Sequence, residues 1–341
     1  MKNFSKIPVS ILTVAMLAAA GCGGYSSPPN SYNSSGGAST AYVSNPDPSI
    51  YGYATANSSS YSMSNSSGTL TSTVNGPSGN VFIGLATDAS GNLYTVDQST
   101  ASGSTSYTVN EYAASSNSTG GAVTATMRTF TSTAINAQPT GIMVDSSGNV
   151  YVMLTGGTLL RFTAGASGAA TPAVTLSGLT TAMATDQSGN LYVTVPVSLT
   201  DSHNMIAVYG AGYATGTLAL RTIIPATEMN IASLSADASG NLYAAGKDSN
   251  GNAEVAVFSA ASTGTASATR VIAGANTHLI NPWQVQVDGA GNVFVGDSTT
   301  GSVGGTDVVY EFASTATGNV SPTATITTSA TYAVSTGMAI H

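Results

Sequence analysis

Residues 87–97 read TDASGNLYTVD, and close copies follow at 144–154 (VDSSGNVYVML), 185–195 (TDQSGNLYVTV), 236–246 (ADASGNLYAAG) and 287–297 (VDGAGNVFVGD). The leading aspartates are Asp88, Asp145, Asp186, Asp237 and Asp288, spaced by 57, 41, 51 and 51 residues. A period near fifty marks a repeated supersecondary unit, and it must be settled before any single motif is interpreted.

Each copy has the same parts. An apolar residue stands three before the aspartate: Leu85, Ile142, Met183, Leu234 or Val285. The D-x-x-G-N that follows has Asp first and Gly fourth, as in a type I turn followed by a left-handed residue, which makes a three-residue hairpin with a bulge. The glycines are Gly91, Gly148, Gly189, Gly240 and Gly291. Gly tolerates positive φ, and the Asp side chain accepts a backbone N–H inside the turn. A second strand then carries Tyr94, Tyr151, Tyr192, Tyr243 or Phe294, and a third ends on Tyr112, Phe162, Tyr209, Phe258 or Phe312. A Gly-containing hairpin leads to a fourth, Thr- and Val-rich strand. Four antiparallel strands per unit make a propeller blade.

Near the end of the sequence, Met338 falls in the apolar slot of a first strand and His341 where the aspartate stands elsewhere. Near its start, Tyr42 fills the first aromatic slot, Tyr53 the second, and GTLTSTVNG reads as a fourth strand. The expectation is an all-β, six-bladed propeller whose last blade combines one strand from the C-terminal side with three from the N-terminal side. Such pairing leaves no open ring edge.

The stretch GIMVDSSGNVYVML…LLRF resembles the NHL repeat of six-bladed propellers, with its D-x-x-G-N-[VL]-Y-V core, and the resemblance covers residues 39–341. It implies a fold; a propeller hosts many activities, so it does not by itself imply one. Relatives of this kind include gluconolactonase-like lactonases and hydroxyglycine-amide lyases, which hold a divalent metal at the channel mouth. The resemblance therefore implies, as the alternative function, a metal-dependent hydrolase or lyase.

Residues 1–21 combine Lys2 and Lys6 with an apolar run, Ile7–Ala20, too short to span a bilayer as a helix, and read as a signal peptide. AAGC, ending on the lone cysteine Cys22, resembles the lipobox of bacterial lipoproteins and implies lipidation there. Gly rather than Asp at position 23 then favours the outer membrane. Residues 22–38, rich in Gly, Ser, Pro and Asn, read as a low-complexity tether.

Beyond residue 21 there are 15 acidic residues and five basic ones, Arg128, Arg161, Arg221, Lys247 and Arg270, a net charge of about −10. That excludes nucleic acid as a partner, and leaves a lipid anchor as the contact with membrane. A single cysteine excludes internal disulfides.

The D-x-x-G-N copies lack the spaced acidic ligands and distal Glu of an EF-hand loop. His203, His278 and His341 lie in no metal-ligand spacing, and no cofactor motif is present. The b–c and d–a loops share one face of a propeller. That face is expected to carry Asp97, His203, Glu228, Asn230, Lys247, Asp248, His278, Asn281, Trp283, Asp297 and Tyr332. The inner strands are bland apart from Gln284 and Gln286. The leading reading is a monomeric, lipid-anchored, non-catalytic scaffold in the cell envelope. It offers Glu228, His278, Trp283, Asp297 and Tyr332 to a protein or glycan.

Overall fold

The computed structural model describes residues 25–26, 40–44, 49–54, 61–62, 70–75, 80–100, 104–113, 122–123, 126–198, 203–298, 307–327 and 338–340. Tyr332 and His341 lie outside these. The described chain is all-β apart from one 3₁₀ turn, Ala275–Thr277.

The first strands are β1 (Tyr25–Ser26), β2 (Thr40–Ser44), β3 (Ser49–Ala54), β4 (Tyr61–Ser62) and β5 (Leu70–Asn75). Five blades come next, each a continuous stretch of chain. Blade one contains β6 (Asn80–Thr87), β7 (Leu93–Ser99), β8 (Ser106–Tyr112), the short β9 (Ala122–Val123) and β10 (Arg128–Thr131). Blade two contains β11 (Pro139–Val144), β12 (Val150–Leu154), β13 (Thr158–Phe162), the short β14 (Gly168–Ala169) and β15 (Val174–Leu176). Blade three has β16 (Met183–Thr185), β17 (Leu191–Pro196), β18 (Asn204–Tyr209) and β19 (Arg221–Pro225). Blade four has β20 (Met229–Ala236), β21 (Leu242–Asp248), β22 (Ala253–Phe258), the short β23 (Gly264–Ala266) and β24 (Arg270–Ala273). Blade five has β25 (Pro282–Val287), β26 (Val293–Ser298), β27 (Asp307–Phe312) and β28 (Ala324–Thr327).

The four long strands of each blade pair antiparallel in chain order. One more sheet has a different make. In it β29 (Met338–Ile340) pairs antiparallel with β2, with Ala41 opposite Ile340 and Val43 opposite Met338, and β3 and β5 lie successively outward. β29 lies between the inner strands β25 and β6.

A blade is pressed between two others, so its middle strands bury both faces and read as unbroken apolar runs rather than alternating ones. All five residues of β12 and all six of β22 are buried, whereas β10 at the rim buries Phe130 and exposes its neighbours. The apolar clusters lie between blades. Tyr192, Ile206 and Val208 of blade three meet Met229, Leu234 and Leu242 of blade four. Phe82, Leu85, Leu93 and Tyr112 of blade one meet Ala339 of β29.

Two devices join adjacent blades. The first covers the open edge of the outer strand, which would otherwise template association. The c–d loop of the following blade supplies a short parallel strand: β9 to β5, β14 to β10, β23 to β19 and β4 to β28. Gly318 bridges to Ile272 in the same sense, and at the remaining seam the Thr175 N–H donates to the Thr215 hydroxyl. The second device uses the cations. Arg221 donates to the carbonyls of Ser262 and Ala260, and Arg270 to that of Ser314. Arg161 stacks 4.8 Å over the Tyr213 ring, Arg128 comes alongside Gly165, where a Cβ would meet its guanidinium, and Lys247 donates to the Asn281 side chain. All five basic residues beyond position 21 thus bridge adjacent blades, which leaves the acidic groups to set the sign of the surface field.

Within 22–38, read from composition as a tether, Tyr25 and Ser26 form β1. It pairs parallel with β20, Tyr25 opposite Ser233 and Ser26 opposite Leu234, on the side of β20 away from β21. There it sits among the inner strands β11, β16, β20 and β25, inside the ring.

Candidate functional site

The repeated turn faces one end of the ring, and its chemistry is internal. Gly91, Gly148, Gly189, Gly240 and Gly291 have φ between 77° and 84°. The Asp145 carboxylate accepts from Ser147 N and Asn149 N on one oxygen, and from Asn149 Nδ2 and the Tyr151 hydroxyl (2.9 Å) on the other. Asp88, Asp186 and Asp237 repeat this with Tyr94, Tyr192 and Tyr243. Burial first, then the neighbouring Tyr213 and Asp145, raises the Tyr151 phenol far above its usual range and keeps it a donor. The relay continues outward: Arg128 donates to the Tyr94 hydroxyl and Arg270 to that of Tyr243. One turn aspartate therefore fixes the hairpin, the aromatic residue and, through it, the arginine that reaches the next blade. Between the turns of blades three and four lies a shallow hollow of about 200 Å³, lined by Asp186, Ser188, Arg221, Ser239 and Gly240. Its carboxylate is already engaged.

On the opposite face the b–c and d–a loops gather as the topology requires, and the candidate residues there separate into two groups. The first is exposed. Glu228, in a left-handed conformation (φ 36°), lies 3.8 Å from Nδ1 of His203. His278, also left-handed (φ 61°), ends the 3₁₀ turn with its ring 6.1 Å from that of Tyr310. Ile280 beside it is 47% exposed.

The second group is held by the chain itself, and all of it but Asp248 is buried. Asp297 is fully buried and accepts from Ile280 N (2.9 Å) and Asn281 N (3.2 Å), so it anchors the loop that carries His278. Asp97, at the same slot of blade one, is also buried and accepts from the Thr95 hydroxyl and Asn110 Nδ2. Trp283 is buried against Gly296, where a Cβ would come within 2.5 Å of its ring. Asp248 belongs to a sixth D-x-x-G-N turn, D-S-N-G-N, and accepts from Asn250 N, Asn252 N and Asn252 Nδ2. The Asn252 side-chain bond, ahead of the other causes, holds its carboxyl below the usual range. Burial, then the Asp248 charge, pushes Glu254 up; burial, then Asp297, raises Tyr310.

The arrangement thus brings Glu228 to His203 and His278 to Tyr310, and takes Asp97, Asp248, Trp283 and Asp297 into the framework. Among the described residues no three His, Cys, Asp or Glu are placed to share a metal ion.

Two features went unread in the sequence. Gln284 and Gln286, far from idle, grip β29: Gln284 exchanges both bonds with the Met338 backbone (2.7 Å each), and Gln286 Nε2 donates to the same carbonyl (2.8 Å). Their spacing of two on one strand, amid small residues, was the available signal. Leu218 and Leu220, 83% and 72% exposed, form an apolar rim on blade three. They stand just ahead of β19, and two leucines flanking an alanine read like the start of its strand.

No protein-family model matches the chain, and no curated protein matches it. Among solved structures, the chain is similar to a Bacteroides caccae protein of unknown function, with a TM-score of 0.54 at 9% identity over 89% of this chain and 99% of that one. It is also similar to the WD40 domain of Toxoplasma gondii coronin (TM-score 0.49, 10% identity, 91% of this chain and 72% of that one). A third match is the WD40 β-propeller domain of Doa1 (TM-score 0.41, 12% identity, 76% and 86%). With its own blade topology, the first likeness establishes the fold and nothing finer: the chain is an all-β propeller of four-stranded antiparallel blades.

Proposed function

We propose that the protein is a non-catalytic interaction scaffold of the cell envelope, related to NHL-type propellers, lipid-anchored through Cys22 and closed as a six-membered ring by β29 beside β2. It works as a monomer and presents the face of Glu228, His278 and Ile280 to a protein or surface glycan. The observation that carries this reading is the state of the carboxylates on that face. Asp97, Asp248 and Asp297 are each held by donors of the chain itself. A ligand set for a catalytic metal needs carboxylates free to turn toward the ion, with their own outer partners. The outward groups described on that face include a histidine, a glutamate and an isoleucine, which suits contact rather than chemistry.

Metal analysis of the purified mature protein, with mass spectrometry of its N-terminus, tests this. The reading predicts no stoichiometric divalent ion and an acylated Cys22. One tightly bound divalent ion per chain would favour the lactonase or lyase alternative, and an unmodified peptide starting elsewhere would remove the anchor.

A further inference from the structure

An inner strand of a blade pairs on one side only. Its neighbour in the blade takes half of its backbone N–H and C=O groups, and the other half face the axis. In a closed ring those axial groups line a channel and are normally met by water, since burying them unpaired costs free energy. At β20 they are met by protein: β1 adds there as a parallel strand, with Tyr25 opposite Ser233 and Ser26 opposite Leu234. The side chains of Ser233, Leu234 and Ser235 are themselves buried between blades, and Ser233 accepts from Val285 N of blade five. The groups that β20 turns to the axis are therefore backbone, and the groups that pair with them are backbone too.

We propose that the central channel is a binding site for extended peptide, templated by the axial edge of β20 and filled in cis by Tyr25–Ser26. Recognition through main-chain bonds is the mode of β-strand addition, which tolerates many side chains and requires free N–H groups at the paired positions. The parallel register also gives the threading a direction. β1 runs parallel to β20, its Tyr25 end toward Met229 and the d–a loops and its Ser26 end toward the D-x-x-G-N turn. This inference needs neither the lipid anchor nor the scaffold role, so its test is independent of both.

The experiment is hydrogen exchange read by mass spectrometry on residues 229–236, with 282–287 as the internal reference. The variant Tyr25→Pro/Ser26→Pro removes both N–H groups of β1 and changes no residue of the blades. It is expected to speed exchange of 229–236 at least about tenfold while leaving 282–287 and the melting temperature nearly unchanged. Equal exchange in parent and variant would overturn occupancy of the channel by β1. In a second arm, a synthetic peptide of residues 23–29 (GGYSSPP) is added at millimolar concentration to the same variant. Restored protection is expected, and the peptide N-methylated at Tyr25 and Ser26 should not restore it. Failure of the unmodified peptide, or equal action of the methylated one, would overturn the site as a receptor for extended backbone.

Discussion

Asp145 and Asp248 stand at the head of the same five-residue turn, yet they should not be worth the same. Asp145 is buried and serves four donors, one of them the Tyr151 hydroxyl in the core. Replacing it by Ala strands those donors, and a hydrogen bond to a charged group contributes about 1.5–3 kcal/mol, so Asp145→Ala should cost at least roughly 2 kcal/mol. Asp248→Ala removes a similar turn at the solvent-exposed end of β21, where water replaces the carboxylate, and should cost clearly less. Urea unfolding of both variants checks the order. A second contrast lies between Glu111 and Glu311, which share a register position. Glu111 faces Arg128, whereas Glu311 faces Ala324. Without that cation, burial first and the Asp288 charge second push the Glu311 carboxyl from 4.5 to about 7. An acid raised on folding gives stability that is fully present below its unfolded value and is lost as pH rises through its folded value. Glu311→Gln should therefore melt higher than the parent at pH 8 and equally at pH 4.5. A gain of the same size at both pH values would contradict the assignment.

At this scale the sequence was legible where a motif is self-contained. D-x-x-G-N encodes its own turn, because donor and acceptor lie within five residues. It misled at Asp97 and Asp297: a carboxylate at a loop is visible in the sequence, but the amides of Ile280 and Asn281 that consume it are supplied by a loop 16 and 17 residues away. Asp248 carried the same five letters as the other turns. It fell out of view by standing 11 residues after Asp237, off the fifty-residue period.

Among the elements, β29 depends most on partners distant in sequence. It is three residues long, and it is held by β2 on one side, by Gln284 and Gln286 from blade five, and by the Thr87 hydroxyl from blade one, which donates to the Ile340 carbonyl. Blade five has no arginine at the seam position, where Ala324 stands, and the two glutamines do the joining there instead. Gln284→Leu keeps much of the volume and removes the acceptor of the Met338 N–H, while the Met338 carbonyl keeps Gln286. Leaving a buried N–H unmet costs about 1–3 kcal/mol, so this variant should lose about that much. A loss under about 0.5 kcal/mol in chemical unfolding would show that the glutamine bonds carry no weight. The strand order inside each blade was readable because hairpins are local. The parallel latches β9, β14 and β23 were not, since two or three residues in a Gly-, Ala- and Thr-rich loop have no pattern of their own and become strands only against the rim of the preceding blade.

For the whole molecule, the proposed anchor and β1 would together set an orientation. Cys22 is three residues before Tyr25 in the sequence, within about 10 Å of extended chain, and the Tyr25 end of β1 points toward the Met229 end of β20. If that cysteine is acylated, the face of Glu228 and His278 turns toward the membrane and the D-x-x-G-N turns point away. In vesicle-anchored protein, a cysteine introduced by His278→Cys should react with a bulky maleimide several-fold more slowly than one introduced by Ser239→Cys. Equal rates, or the reverse order, would contradict that orientation.

The central claim is that the ring closes through β29, and thermal unfolding of the protein lacking Gly337–His341 tests it most directly. That deletion removes Met338 and Ile340 from burial, strands Gln284 and Gln286, and opens the edges of β2 and the apolar surface around Phe82 and Leu85. Each buried aliphatic side chain contributes about 1.5–3 kcal/mol, so the two together with the lost bonds should exceed roughly 4 kcal/mol. In a chain of this size that is a fall of about 6 °C or more in melting temperature, with aggregation through the opened edge. A truncated protein that melts within about 2 °C of the intact one and stays monomeric would show that the ring does not close this way.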